Sequence, residues 1–195
     1  MAGNDSSTGG YLSPAVSSPP LEDDALTAIF QQMIVGITAL PGNMVRPRWQ
    51  PNPPKQPEPT VNWCALGIAV QTRDDGPAII HNGTGNGSDT YIRHEQIDVL
   101  ASFYGPNAMQ NAQLLSDGLA IPQNLEQLKA QDMNSVDTGK IRAVPDLINE
   151  QWIRRYDIEL TFRRKITRTY AVLNILTAQG TVQTPTVTTP INVTQ

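Results

Sequence analysis

The chain holds one cysteine, Cys64, and two histidines, His81 and His94, so groups able to act as nucleophile, general base or soft metal ligand are few. A Cys64–histidine pair is the one conceivable thiolate nucleophile. Cys64, however, sits inside the apolar stretch NWCALGIAVQT (62–72), where a buried and inert thiol is the ordinary outcome. His94 and Asp98 stand four residues apart, a spacing that on a helix turns both toward one metal. Their neighbours alternate with period two, which places them on a strand instead, and chance explains the spacing better. Gly83, Gly85 and Gly87 lie in NGTGNGSD with no following Lys-Ser/Thr and no helix, so they form neither a phosphate loop nor a dinucleotide fingerprint. The sequons at Asn82 and Asn86 matter only in a secreted protein. A single cysteine excludes an internal disulfide, and with two histidines it cannot build a thiolate-rich zinc cage. No catalytic, cofactor-binding or metal-ligating residue is assigned; the expectation is a protein that is not an enzyme and carries no cofactor.

Charge offers one concentrated feature. Arg154, Arg155, Arg163, Arg164, Lys165 and Arg168 cluster in a segment interrupted by Asp157 and Glu159, on a chain of formal net charge -4 and pI near 5.1. A solvated strand face accounts for such a run. The functional alternative is an assembly interface that meets acidic side chains of a second copy or a neighbour, which arginine suits through its bidentate fork. On that reading, reversing charge at Arg163 and Arg164 together leaves the subunit folded while impairing assembly. The acidic balance argues against a dedicated DNA binder.

The elements that position these residues follow from pattern. With 195 residues, 16 prolines, 14 glycines and a charged fraction of 16%, the chain is one domain with much loop. No stretch approaches the ~20 apolar residues of a spanning helix, and the first twenty residues have neither a basic start nor an apolar run, so neither a membrane span nor a signal peptide is expected. Residues 1–17 are Ser, Gly, Pro and Asn with little apolar area, read as a disordered tail. Ser18-Pro19-Pro20 begins a first helix, with Leu26, Ile29, Phe30, Met33 and Ile37 on one face, ending near Leu40-Pro41-Gly42. A Pro-rich arm (45–60) favours extended backbone and forbids a central strand. Strands follow at 62–72, 78–80 and 91–103, the last two flanking the Gly/Asn-rich hairpin tip. Ala108, Ala112, Leu115 and Leu119 mark a second helix, Pro122–Asp132 a short third one, and SVDTGKIRAV a strand with a Gly turn. The strongest β signal is WIRRYDIELTFRRKI: Trp152, Arg154, Tyr156, Ile158, Leu160, Phe162, Arg164 and Ile166 alternate with a charged set. Trp152, Tyr156, Ile158, Leu160 and Phe162 are therefore expected beneath the first helix. Residues 170–177 supply one more strand, and 179–195 a C-terminal extension. The class is α+β: an antiparallel sheet with two or three helices mainly on one face and flexible arms at both ends, the single domain running from 18 to 178.

Several segments together, GITALPGNMVRPRWQPNPPKQPEPTVNWCALGI, YIRHEQIDVLASFYGPNAMQNAQLLSDGL, IPQNLEQL and WIRRYDIELTFRRKITRTYAVLNI, resemble the tailed-bacteriophage neck protein family called tail terminator, or neck terminator. The resemblance covers about residues 21–178 and rests on the order and spacing of the blocks. It implies a structural virion protein: a homo-oligomeric ring, usually a hexamer, that terminates the tail tube and joins it to the head connector, with genomic DNA passing the lumen without sequence-specific binding. It implies partners in tail tube and connector, no membrane, and a place at the head–tail junction of the virion after synthesis in the host bacterial cytoplasm. Another head–tail adaptor or tail completion protein is the alternative in the same class. A surface-binding virion module is weaker, because the 6% aromatic residues fall mostly at expected core positions, and a Cys64 hydrolase is weaker still.

Overall fold

The computed structural model describes residues 4–18, 22–148, 150–183 and 187–194. In chain order its elements are β1 (Val16–Ser17), α1 (Asp24–Thr38), β2 (Val45–Pro47), β3 (Trp63–Arg73), β4 (Ala78–Asn82) and β5 (Ser88–Tyr104). Then come α2 (Ala108–Gly118), α3 (Glu126–Lys129), β6 (Met133–Thr138), β7 (Arg142–Ala143), β8 (Asp146–Ile148), β9 (Gln151–Ile153), β10 (Arg155–Tyr170), β11 (Thr177–Gln183) and β12 (Thr188–Thr194). The class is α+β with a mostly antiparallel sheet and helices packed against it. Two compact units divide the chain: 19–76 with 93–166, and 1–18 with 77–92 and 167–195. These units do not follow the composition boundaries at 17 and 178, because β5 and β10 are long enough to leave one unit and enter the other.

In the larger unit β10, β5, β3 and β2 are neighbours in that order, and β6 and β7 pair with β10. The β3–β5, β6–β10 and β7–β10 registers are antiparallel, whereas β2–β3 is parallel. Pro47 thus sits in an edge strand, where a missing N–H is harmless. Period-two alternation sends Cys64 and Leu66, Ile97, Val99, Ala101 and Phe103, and Ile158, Leu160 and Phe162 to one face, where Leu26, Phe30, Met33 and Ile34 of α1 and Ala112 and Leu115 of α2 cover them. Phe30 and Phe162 meet ring to ring at 4.8 Å. Leaving β5, the chain turns at Gly105, whose φ of 99° suits glycine and where a Cβ would lie 2.5 Å from the Val61 carbonyl oxygen. Beyond it the Asn107 N–H at the start of α2 donates to Asn62 Oδ1 at 2.8 Å.

Three expectations change. Trp152 is 70% exposed while Ile153 is buried, because the strand is interrupted at Arg154: β9 pairs with β8, and β10 starts a new phase. The alternation holds from Tyr156 onward and fails before it. Ser18 does not cap α1. Its N–H donates to the Thr167 carbonyl and its Oγ accepts from the Thr167 N–H, tying it to β10; Pro19 and Pro20 lie outside the described residues. The helix begins at Asp24, after Asp23 at φ 60°. Finally, 171–176 is not a strand: the Asn174 N–H goes to the Asn86 carbonyl and that of Leu173 to Ser6 Oγ.

In the smaller unit β4 and β5 form the expected hairpin around residues 83–87. Val16 and Ser17 pair with Thr169 and Arg168 of β10 by main-chain bonds, with Val16 itself exposed, and β11 and β12 form an antiparallel ribbon. Among the described residues no helix is long and apolar enough to cross a membrane. Leu160→Ala is expected to destabilise the protein by about 2–5 kcal/mol, the range for large-to-small core changes, and Trp152→Ala by less than about 0.5 kcal/mol, as at an exposed position. Urea unfolding of both variants checks the register: equal losses would place Trp152 in the core after all.

Candidate functional site

Arg164 occupies an apolar-phase position of β10 and is 1% exposed. Its guanidinium donates to Glu95 of β5, which is equally buried, and to Glu22 just before α1. Glu95 also receives Arg73 Nε at 3.3 Å and Gln71 Nε2 at 3.0 Å, and Gln71 reaches Glu22 at 3.3 Å. A bulge in β3 makes this possible. Opposite Val99 and Asp98, β3 spends three residues, Ile68 to Val70, where β5 spends two, so the residues beyond change face and Gln71 and Arg73 arrive on the side of Glu95.

On the opposite face a second polar chain runs beneath the Pro-rich arm. Arg48 donates to Ser102 Oγ, which donates to Asp157 Oδ1 at 2.5 Å. Arg155 binds the same carboxylate through two bonds of 2.8 and 2.7 Å and reaches Asp146 at 3.4 Å. The Asp157 hydrogen bonds hold the Arg155 guanidinium firmly charged. Trp63 and Tyr104 stack at 4.2 Å, with Arg46 over the first ring and Arg155 over the second, each 5.8 Å from the centroid. Burial raises the Tyr104 hydroxyl above its ordinary pKa. Trp49 closes the arm over Gly67, where an added Cβ would come within 2.6 Å of the indole.

None of these groups is arranged for bond chemistry. Ser102 is fully buried and its carboxylate partner is committed to Arg155. Burial pushes the Cys64 thiol well up, so it stays protonated and unreactive. His94 faces Asp74 at 3.9 Å, while Asp98 accepts from Thr161 at 3.0 Å; the two are not brought together. Among the described residues no group of three or more His, Cys, Asp or Glu is placed to hold a metal. A cavity of about 530 Å³ between α1 and residues 123–131 is lined by glutamines and apolar side chains, with Glu126 its only ionisable group.

The six basic residues do not share one surface. Arg164 is internal and Arg155 belongs to the network on the other face. Arg154 is exposed, Arg163 pairs with Asp74 at 3.1 Å, Lys165 with Asp132 at 3.2 Å, and Arg168 lies in the smaller unit. Charge reversal at Arg164 would place a carboxylate against Glu95 and Glu22, so the double reversal cannot be a neutral probe of assembly. The sequence contained the signal: in the alternation of β10, Arg164 falls in the row of Ile158, Leu160 and Phe162. Glu95 falls likewise in the row of Ile97, Val99, Ala101 and Phe103 of β5, whereas Ser102 and Asp157 carried no such mark, because their roles depend on partners from distant strands.

In the smaller unit His81 is held at both ring nitrogens. Nδ1 lies 2.5 Å from Asp89 Oδ1 and Nε2 lies 2.6 Å from Asn174 Oδ1. Asn174 is oriented by its own amide, which donates to the Gly83 and Gly85 carbonyls. Both histidine nitrogens therefore face acceptors, and the Asp89 bond first, then Asn174, raises the His81 pKa.

A family model described as phage neck terminator protein matches residues 24–187. Among curated proteins none matches the chain.

Two outcomes follow from the buried groups and the clasp. Glu95→Ala removes the buried carboxylate that meets Arg164 and is expected to destabilise by about 3–5 kcal/mol, whereas Arg164→Met with Glu95→Leu costs less than the sum of the single changes; a double-mutant cycle in urea measures the coupling, and strict additivity would deny it. The His81 clasp is complete below the ordinary imidazole pKa of 6.5 and is lost as pH rises through the elevated one. Protection of the Asn174 amide against hydrogen exchange, corrected for intrinsic rate, should fall over that rise, and His81→Gln should flatten the profile.

Proposed function

The chain belongs to the phage neck terminator family, and from that membership we propose that it is a ring-forming subunit that terminates the tail tube of a tailed phage and joins it to the head connector. The family is one of structural neck proteins of the virion. The match over residues 24–187 carries the proposal. It is supported by a larger unit whose buried ionic groups are engaged with one another and offer no nucleophile–base pair. On this reading the ring is a homo-hexamer, the partners are the tail tube and connector proteins, and DNA crosses the lumen without sequence readout. The net charge of -4 suits a passage that does not hold DNA.

Arg154, Arg163, Lys165 and Arg168 remain the cations of the original cluster proposed to meet acidic neighbours. Charges at such a rim set encounter rate and register more than affinity. Their intramolecular partners Asp74 and Asp132 are half exposed, and surface pairs of that kind exchange readily. Phage produced without this protein should accumulate as separate heads and tails in electron micrographs, and adding the purified protein should join them. Complete particles in its absence would overturn the neck role. Arg163→Glu should slow joining at low salt and flatten its salt dependence, with little effect on the final yield.

A further inference from the structure

The smaller unit is almost free of charge. Of 18 acidic and 14 basic residues in the chain, only Asp5, Asp89 and Arg168 fall in segments 1–18, 77–92 and 167–195, and nothing after Arg168 is charged. An ordinary soluble surface carries roughly a quarter to a third charged residues; depletion of charge marks the centres of protein interfaces. Apolar side chains stand in solvent on the same unit: Ile79 and Ile80 are each 55% exposed, Ile175 81% and Ile191 46%.

The backbone there is also unfinished. Among the described residues β4 pairs with β5 alone, and β11 and β12 pair with each other alone. A two-stranded ribbon is marginal in water without further packing. Natural edge strands are guarded by lysines, prolines or inward charges. Pro190 guards β12, but β11 (TAQGTVQ) has neither proline nor charge, and β4 (AIIHN) carries only His81.

We propose that this uncharged unit is the surface through which copies of the chain bind one another, the open edges of β4 and β11 and the isoleucines beside them meeting the same unit of a second copy. A second copy fits because the complementarity is internal to the chain. An uncharged face is matched by an uncharged face without stranding any charge, and two different open strand edges on one unit permit head-to-tail addition, which closes into a ring when the rotation allows. Main-chain pairing supplies affinity and the alternate side chains supply register. The proposal rests on the reading of the protein as an assembling neck subunit and names the surface that assembles.

The purified full chain is to be examined by sedimentation velocity between about 0.1 and 1 M NaCl, a range over which exposed charge pairs are screened. The wild type should sediment as an oligomer whose mass is unchanged or raised by salt. Ile80→Lys on β4 and Thr181→Lys on β11 should each shift it to monomer while the circular-dichroism melt of dilute protein stays nearly unchanged, and Arg163→Glu should leave the mass as in wild type. A wild type that is monomeric at about 100 μM, an oligomer that dissociates in 1 M salt, or folded lysine variants that assemble as wild type does would each overturn the proposal. The salt series needs no variant, so it decides even where a lysine impairs folding. Separate heads and tails without the protein, together with a monomeric wild type, would sink this inference and keep the neck role; a salt-resistant oligomer with complete particles in its absence would do the reverse.

Discussion

A guanidinium inside the protein sets the terms for everything around it. Arg164 is surrounded by the aliphatic side of β10, and the carboxylates of Glu95 and Glu22 meet its guanidinium there. The partners come from β5 and from the residue pair that precedes α1, so one ionic group aligns two strands and the entry of the main helix. A slip of one residue in β10 would expose Phe162 and Leu160 and turn Thr161, Arg163 and Lys165 toward the helix-covered face. The bulge in β3 serves the same group by turning Gln71 and Arg73 to the carboxylate. Against hydrophobic residues of equal volume such a network need not raise stability; the apolar row of Ile158, Leu160 and Phe162 sets the register, and the ionic group is satisfied within it.

The two faces of the sheet answer different problems. The helix-covered face removes apolar area from water, with Phe30 on Phe162 and Leu115 among the β5 side chains. Among the described residues no helix packs on the other face. There a proline-rich segment, which cannot form helix or central strand, lies over a row of polar groups that satisfy one another from Arg48 to Asp146 and over stacked Trp63 and Tyr104. Gly67 permits the close approach of Trp49. The buried charges of this unit are held in networks and several surface charges are paired, while the smaller unit presents uncharged strands and exposed isoleucines. On the proposed reading that division suits an assembling subunit: buried ionic groups occupied by one another, and a separate surface on which desolvation is cheap.

Much of this was legible in the residues. Spacings of three and four marked α1 and α2, alternation marked β5 and β10, the Gly/Asn-rich octet marked the β4–β5 hairpin, and the blocks from Gly36 to Ile175 carried the family. These are local properties, set by the 3.6 and 2.0 periods and by turn chemistry, and they need no knowledge of partners. What the tertiary structure alone decided is which side chains meet the charge inside. Arg163 and Arg164 are neighbours of identical type, and one lies in solvent against Asp74 while the other lies in the core against Glu95. Composition could not separate them and only the alternation of β10 sets Arg164 in the apolar row, while the side chains that stabilise its charge lie 69 and 142 residues away, on β5 and just before α1. The same holds for Trp152, whose exposure depends on a break at Arg154 imposed by pairing with β8, and for residues 171–176, whose main-chain donors go to loops rather than to a sheet. Periodicity determines what a segment is able to become; long-range hydrogen bonding and desolvation determine where each polar atom is allowed to go.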